Sequence, residues 1–145
     1  MNGRLDLWIK SKDYLVIVEL KNIKIRYLDL GDGAPSKKAR TLTKMSLDKI
    51  LELKISKFDR YNSGKSIRKY VDEKVGPQLN GYVLGNTVKM ESVKRKVRAF
   101  AVVIIGNRKV LVREMNDNGQ WRKDGNNPGQ FSDGFYLAQL EEKKA

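Results

Sequence analysis

Two apolar runs open the chain, Leu5-Asp6-Leu7-Trp8-Ile9 and Tyr14-Leu15-Val16-Ile17-Val18-Glu19-Leu20-Lys21, separated by the polar break Lys10-Ser11-Lys12-Asp13. Runs of this length and composition predict β-strands over residues 4–10 and 14–22, and a break this short predicts an antiparallel hairpin. With the turn centred between Lys12 and Asp13, Asp6 falls opposite Glu19, Trp8 opposite Ile17 and Lys10 opposite Leu15. Side chains alternate along a strand, so Glu19 and Lys21 share a face and Asp6 joins them. Leu5, Leu7, Ile9, Tyr14, Val16, Val18 and Leu20 cover one face, and Trp8, Leu15 and Ile17 make the other apolar too. The expectation is a sheet packed between layers.

Asn22–Leu30 alternates weakly and either extends the second strand or bends away from it. Gly31, Gly33, Pro35 and Ser36 predict a mobile loop over 31–45, made basic by Lys37, Lys38 and Arg40. Ser46 is a candidate N-cap for a helix from Leu47 to about Arg60, with Leu47, Ile50, Leu51, Ile55 and Phe58 on one face. A short helix over Ile67–Val75 comes next, then another from Gln78 to about Gly85 with Pro77 in its first turn. Val97–Ile105 reads as a central strand, Gly106-Asn107-Arg108 as a tight turn and Val110–Glu114 as the returning strand. Residues 116–130 read as loop, and Phe135, Tyr136, Leu137 and Leu140 as a closing C-terminal helix. Gly64-Lys65-Ser66 has the end of a P-loop, but Asp59 stands where the first glycine is required and a helix, not a strand, is predicted before it.

The chain's 145 residues suit one α/β (α+β) domain with a mixed central sheet flanked by helices, spanning 1–145. Cysteine and histidine are both absent, which excludes disulfides, zinc fingers, cysteine nucleophiles, Ser-His-Asp triads and any nuclease with a histidine base. A metal would have to be held by oxygen, which favours Mg²⁺ or Mn²⁺. The net charge of +13 points to a polyanionic partner. Nucleic acid fits better than an anionic membrane, because no basic helix has a clean apolar opposite face. No apolar run is long enough to span a bilayer and no signal peptide is visible, so a cytoplasmic or nuclear protein is expected.

Like charges directly opposite each other destabilise a sheet. Asp6 and Glu19 therefore call for a compensating cation, and two carboxylates plus a backbone carbonyl, that of Leu20, suit Mg²⁺. A metal there could activate water and stabilise charge on a phosphate, with Lys21 assisting. The alternative is a salt-bridged strand end in which Lys21 pairs with Glu19 or Asp6.

Asp6 followed by Glu19-Leu20-Lys21 resembles the D…E-x-K core of the PD-(D/E)xK nuclease superfamily. Gly3-Arg4 fits the G-R-x-D form of its first motif, with Leu5 where proline is usual. Gln78-Leu79-Asn80-Gly81-Tyr82 resembles the Q-x-x-x-Y helix motif of exonuclease-like branches. The order of hairpin, helices and two strands also fits the family's restriction-endonuclease-like core over roughly residues 3 to 114. The resemblance implies that Asp6 and Glu19 ligate Mg²⁺ or Mn²⁺, that Lys21 orients the attacking water, and that Gln78 and Tyr82 face the site from a neighbouring helix. The family's helix before the first core strand is missing ahead of Arg4, so the chain is expected to be a module of a longer protein.

The resemblance implies a metal-dependent nuclease hydrolysing DNA phosphodiester bonds, leaving 5′-phosphate and 3′-hydroxyl ends. Arg4, Lys37, Lys38, Arg40, Lys94, Arg95, Lys96 and Arg98 would contact the nucleic-acid backbone. Expected partners are nucleic acid, with DNA favoured over RNA, a second copy in a homodimer, and upstream domains. The rival readings are an inactive nucleic-acid-binding module of the same fold and a structural or protein-interaction domain.

Overall fold

The protein is described by a computed structural model covering residues 5–56, 64–123, 131–132 and 134–140. The opening hairpin forms as the polar break dictates. Strand β1 (Leu5–Lys10) pairs antiparallel with β2 (Tyr14–Ile23) in the expected register, Asp6 against Glu19, Trp8 against Ile17 and Lys10 against Leu15. The turn is closed by Ser11, whose backbone N–H donates to the Tyr14 carbonyl at 2.8 Å. Beyond Ile23 the chain bends through a 3₁₀ turn at Ile25–Tyr27, and Leu28 bridges to Ile55.

Helices then carry the chain across to β3 (Lys96–Ile105), which lies parallel to β2. Gly106 and Asn107, at φ 57° and 55°, are the central residues of the turn that leads through Arg108 into antiparallel β4 (Lys109–Met115). Positive φ at both turn positions matches the twist of the flanking strands. The sheet is completed by β5 (Phe131–Ser132) and β6 (Phe135–Gln139), giving one mixed six-stranded sheet in the order β1-β2-β3-β4-β6-β5. The chain is thus a mixed α/β fold.

Several expectations are corrected. Residues 35–43 are a helix, α1 (Pro35–Thr43), not loop. Pro35 sits in its first turn, where a missing N–H costs nothing, so the proline starts the helix. Helix α2 (Leu47–Glu52) is capped by Ser46, whose hydroxyl accepts from the Lys49 N–H, but it stops well short of residue 60. Leu53 is already extended, Lys54 bridges to Ser66, and Ile55 is fully buried. Phe58 lies outside the described residues.

The next two predicted helices are one continuous run. It passes from α3 (Ile67–Tyr70), capped by Ser66, through a π-helical turn (Val71–Val75) into α4 (Gly76–Val83). Helix α5 (Asn86–Ser92) leads into β3. The C-terminal segment is a strand, not a helix: β6 completes the second edge of β4, pairing Phe135 with Arg113 and Leu137 with Leu111.

The sheet is also less symmetric than expected. Along β2, β3 and β4 the odd-numbered residues other than Val97 are buried and the even-numbered ones mostly half-buried. Leu15, Ile17, Ile23, Ala99, Ala101, Val103 and Leu111 join the buried helix residues in one core. Val16, Val18, Val102 and Val112 do not belong to it. The site residues Glu19 and Lys21 therefore lie on the core side.

Candidate metal centre

Alternation along β2 carries Glu19 and Lys21 into the core, where Glu19 is 0% and Lys21 7% exposed. Lys21 Nζ lies 3.1 Å from Glu19 Oε1. An isolated ionised carboxylate buried among apolar side chains is expensive, and an adjacent ammonium offsets that cost. Asp6 is the direct cross-strand partner of Glu19. Its side chain, and all of Arg4, lie outside the described residues. Among the described residues no group of three or more His, Cys, Asp or Glu stands together.

The donor set can be tested against a divalent ion. Glu19 pairs with Lys21 on the core side, and the strand register sets Asp6 directly opposite Glu19, so two carboxylate-bearing positions adjoin on neighbouring strands. Carboxylate oxygens are hard donors of the type that Mg²⁺ or Mn²⁺ takes, so the residue types at this register suit such an ion.

Helix α4 packs on β2 and β3. It can do so closely because β3 presents the small buried residues Ala99 and Ala101 on that face. Gly76, at the start of α4, packs against Trp121: a Cβ there would stand 3.0 Å from a Trp121 ring carbon. Tyr82 meets Trp8 edge-on at 5.9 Å between ring centroids, which ties α4 to β1. Gln78 lies one turn back on the same helix, and its Oε1 is buried without a hydrogen-bond partner among the described residues. The Q-x-x-x-Y pair is thus on the helix that covers the sheet face of Glu19.

The cations divide into two groups. Arg95 is committed within the chain, donating to the Ser11 carbonyl at 2.6 Å and to Glu91 at 2.7 Å. Glu91 also pairs with Lys10 at 2.6 Å, so α5 is pinned to the hairpin. The Lys10 hydrogen bond, foremost, holds the Glu91 carboxyl below its usual range, with Arg95 adding to it. Arg98 forms a fork with Glu114 at 3.1 and 2.8 Å and lies over the Phe100 ring, and the Glu114 contact raises its already high pKa. These two arginines are structural as they stand. Lys37, Arg40, Lys94 and Lys96 are exposed, and Lys38 is half-buried on α1.

Two buried cations were missed from sequence. Arg113 shares the cross-strand row of Glu19 and Ala101. It is stacked between Trp121 and Phe135 at 4.6 and 4.1 Å, and donates to Asp72 at 2.7 Å. Lys109, 7% exposed, donates to Gln139 Oε1 at 2.9 Å, and burial lowers its pKa. Strict alternation along β4 would have placed both on the core face. Gly64-Lys65-Ser66 is no phosphate loop: Ser66 caps α3 by accepting from Lys69 N–H at 3.2 Å.

No helix among the described residues is long and apolar enough to cross a membrane. Comparison with protein-family models, curated proteins and solved structures gives no match.

Proposed function

We propose that this chain is a metal-dependent nuclease of the PD-(D/E)xK type, acting on DNA in preference to RNA. The observation that carries the reading is the pairing of Asp6 directly opposite Glu19, with Lys21 beside Glu19 on the buried face. A hairpin bearing both carboxylates, a helical crossover and a strand returning parallel to β2 support a restriction-endonuclease-like core.

In this reading Asp6, Glu19 and the Leu20 carbonyl would hold Mg²⁺ or Mn²⁺, which would supply Lewis-acid stabilisation of the charge that develops on the phosphate. Lys21 orients the attacking water and offers positive charge to the pentacoordinate phosphorus species formed as it attacks. Gln78 gives that water or the substrate a hydrogen-bond acceptor from α4, and Tyr82 holds α4 against Trp8. The net charge of +13 retains the polyanion. The test is turnover: purified protein with Mg²⁺ or Mn²⁺ should nick or linearise plasmid DNA, and EDTA should stop it. Absence of metal-dependent cutting on circular, linear and single-stranded DNA and on RNA would reject the proposal.

A further inference from the structure

A second basic feature lies away from the carboxylates. A cleft of about 630 Å³ opens between α1, the β3–β4 turn and the end of β6. Its polar lining is Ser36, Arg40, Thr43, Lys44, Arg108 and Gln139. No described lining residue is acidic, and Arg40 and Lys44 have no carboxylate partner among the described residues. Arg40 and Lys44 stand one helical turn apart, on one face of α1 and its C-cap.

The floor is built rather than incidental. Buried Lys109 donates to Gln139 Oε1, so the groups left on that amide are its N–H donors. Leu140 N–H donates to the Arg108 carbonyl at 2.9 Å, fixing the strand end against the turn. Leu42, fully buried, packs α1 against the turn at Gly106. The cleft therefore presents guanidinium, ammonium and amide donors on a rigid frame, the donor chemistry that phosphate oxygens accept from.

We infer that this cleft is an anchor for the phosphodiester backbone of a nucleic acid, holding it at a fixed distance from the Asp6–Glu19 site. The choice of polyanion rests on the nuclease reading. The sheet sets the spacing: Gln139, on the cleft floor, is three strands from Glu19 and four residues along from Glu19's row, roughly 20 Å. That is about six base-pair steps of duplex, so one strand can lie in the cleft while another segment of the same duplex reaches the carboxylates.

The experiment is fluorescence anisotropy of a labelled 20-base-pair duplex in EDTA, where binding is read without cleavage. Three variants are compared with the intact chain: Arg40→Ala with Lys44→Ala, Gln139→Glu, and the control Lys74→Ala with Lys89→Ala, which removes the same charge from exposed positions elsewhere. The cleft pair should lose about 30-fold in affinity and lower the salt dependence by about two counterions. Gln139→Glu keeps a partner for Lys109, so it should melt like the parent yet lose about tenfold in affinity. The control should lose under about threefold. Equal losses in cleft and control variants would overturn the anchor in favour of diffuse charge attraction. So would saturable pyrophosphate binding lost in the cleft variants with duplex affinity unchanged, which would mark a site for small phosphate compounds. Binding that behaves as expected in a protein that never cuts would remove the nuclease reading and leave the anchor standing.

Discussion

Lys21 and Glu19 form an ion pair at 3.1 Å inside the core, with neither side chain more than 8% exposed. Removing one partner of a buried pair strands the other charge, at a cost of about 3–5 kcal/mol. Lys21→Met should therefore lower stability by about 3 kcal/mol. Urea titration checks this, and 10 mM Mg²⁺ should restore part of the loss if Asp6 and Glu19 hold the ion. A purely structural salt bridge predicts no recovery.

Metal binding to the folded chain alone must also appear as stabilisation. At an Mg²⁺ concentration about 100 times the dissociation constant the gain is about 2.7 kcal/mol. Thermal melts should show an upward shift with Mg²⁺ or Mn²⁺ in the parent and none in Asp6→Ala or Glu19→Ala. An unchanged shift in both variants would move the ion elsewhere.

Glu91 gives a pH signature remote from that site. Lys10 and Arg95 lower its pKa in the folded chain, so the folded state binds this proton less readily than the unfolded one. Its contribution is present above the unfolded value near 4.3 and is lost as pH falls through the lowered folded value. Stability curves of the parent and Glu91→Gln should thus differ at neutral pH and converge in acid. Parallel curves down to pH 2 would contradict the assignment.

The β3–β4 turn tests backbone geometry. Gly106 has φ 57°, and a Cβ there would stand 2.5 Å from Leu42 Cδ2. Gly106→Ala should cost about 1–3 kcal/mol through strain and overpacking. Asn107→Gly, at φ 55° with an exposed side chain, should be close to neutral. Because Leu42 belongs to α1, Gly106→Ala should also weaken duplex binding at the cleft.

The elements readable from sequence are those governed by their own neighbours in the chain. The polar break sets the hairpin register, so Asp6 and Glu19 can be paired from sequence alone. Gly106-Asn107 marks the second hairpin for the same reason. Pro35 misleads because a proline that breaks a helix interior also starts a helix. Ile55 keeps the helical spacing of α2, but bridges from Lys54 to Ser66 and from Ile55 to Leu28 take that segment out of the helix. Phe135–Gln139 is a strand because the free edge of β4 is available, a tertiary fact that no five-residue window contains. The cleft is invisible in sequence for the same reason: Arg40 and Lys44 come from the misread helix, Gln139 from the misread strand, and Arg108 from the turn between.

A nuclease site built on Asp6, Glu19 and Lys21 stands or falls on cleavage of circular duplex DNA with Mg²⁺ or Mn²⁺, comparing the parent with Asp6→Ala, Glu19→Ala and Lys21→Ala, each checked for folding. The expected result is metal-dependent cutting by the parent and a loss of at least about 100-fold in every variant. Cutting that persists at the parental rate in the three folded variants would contradict the assignment of the site.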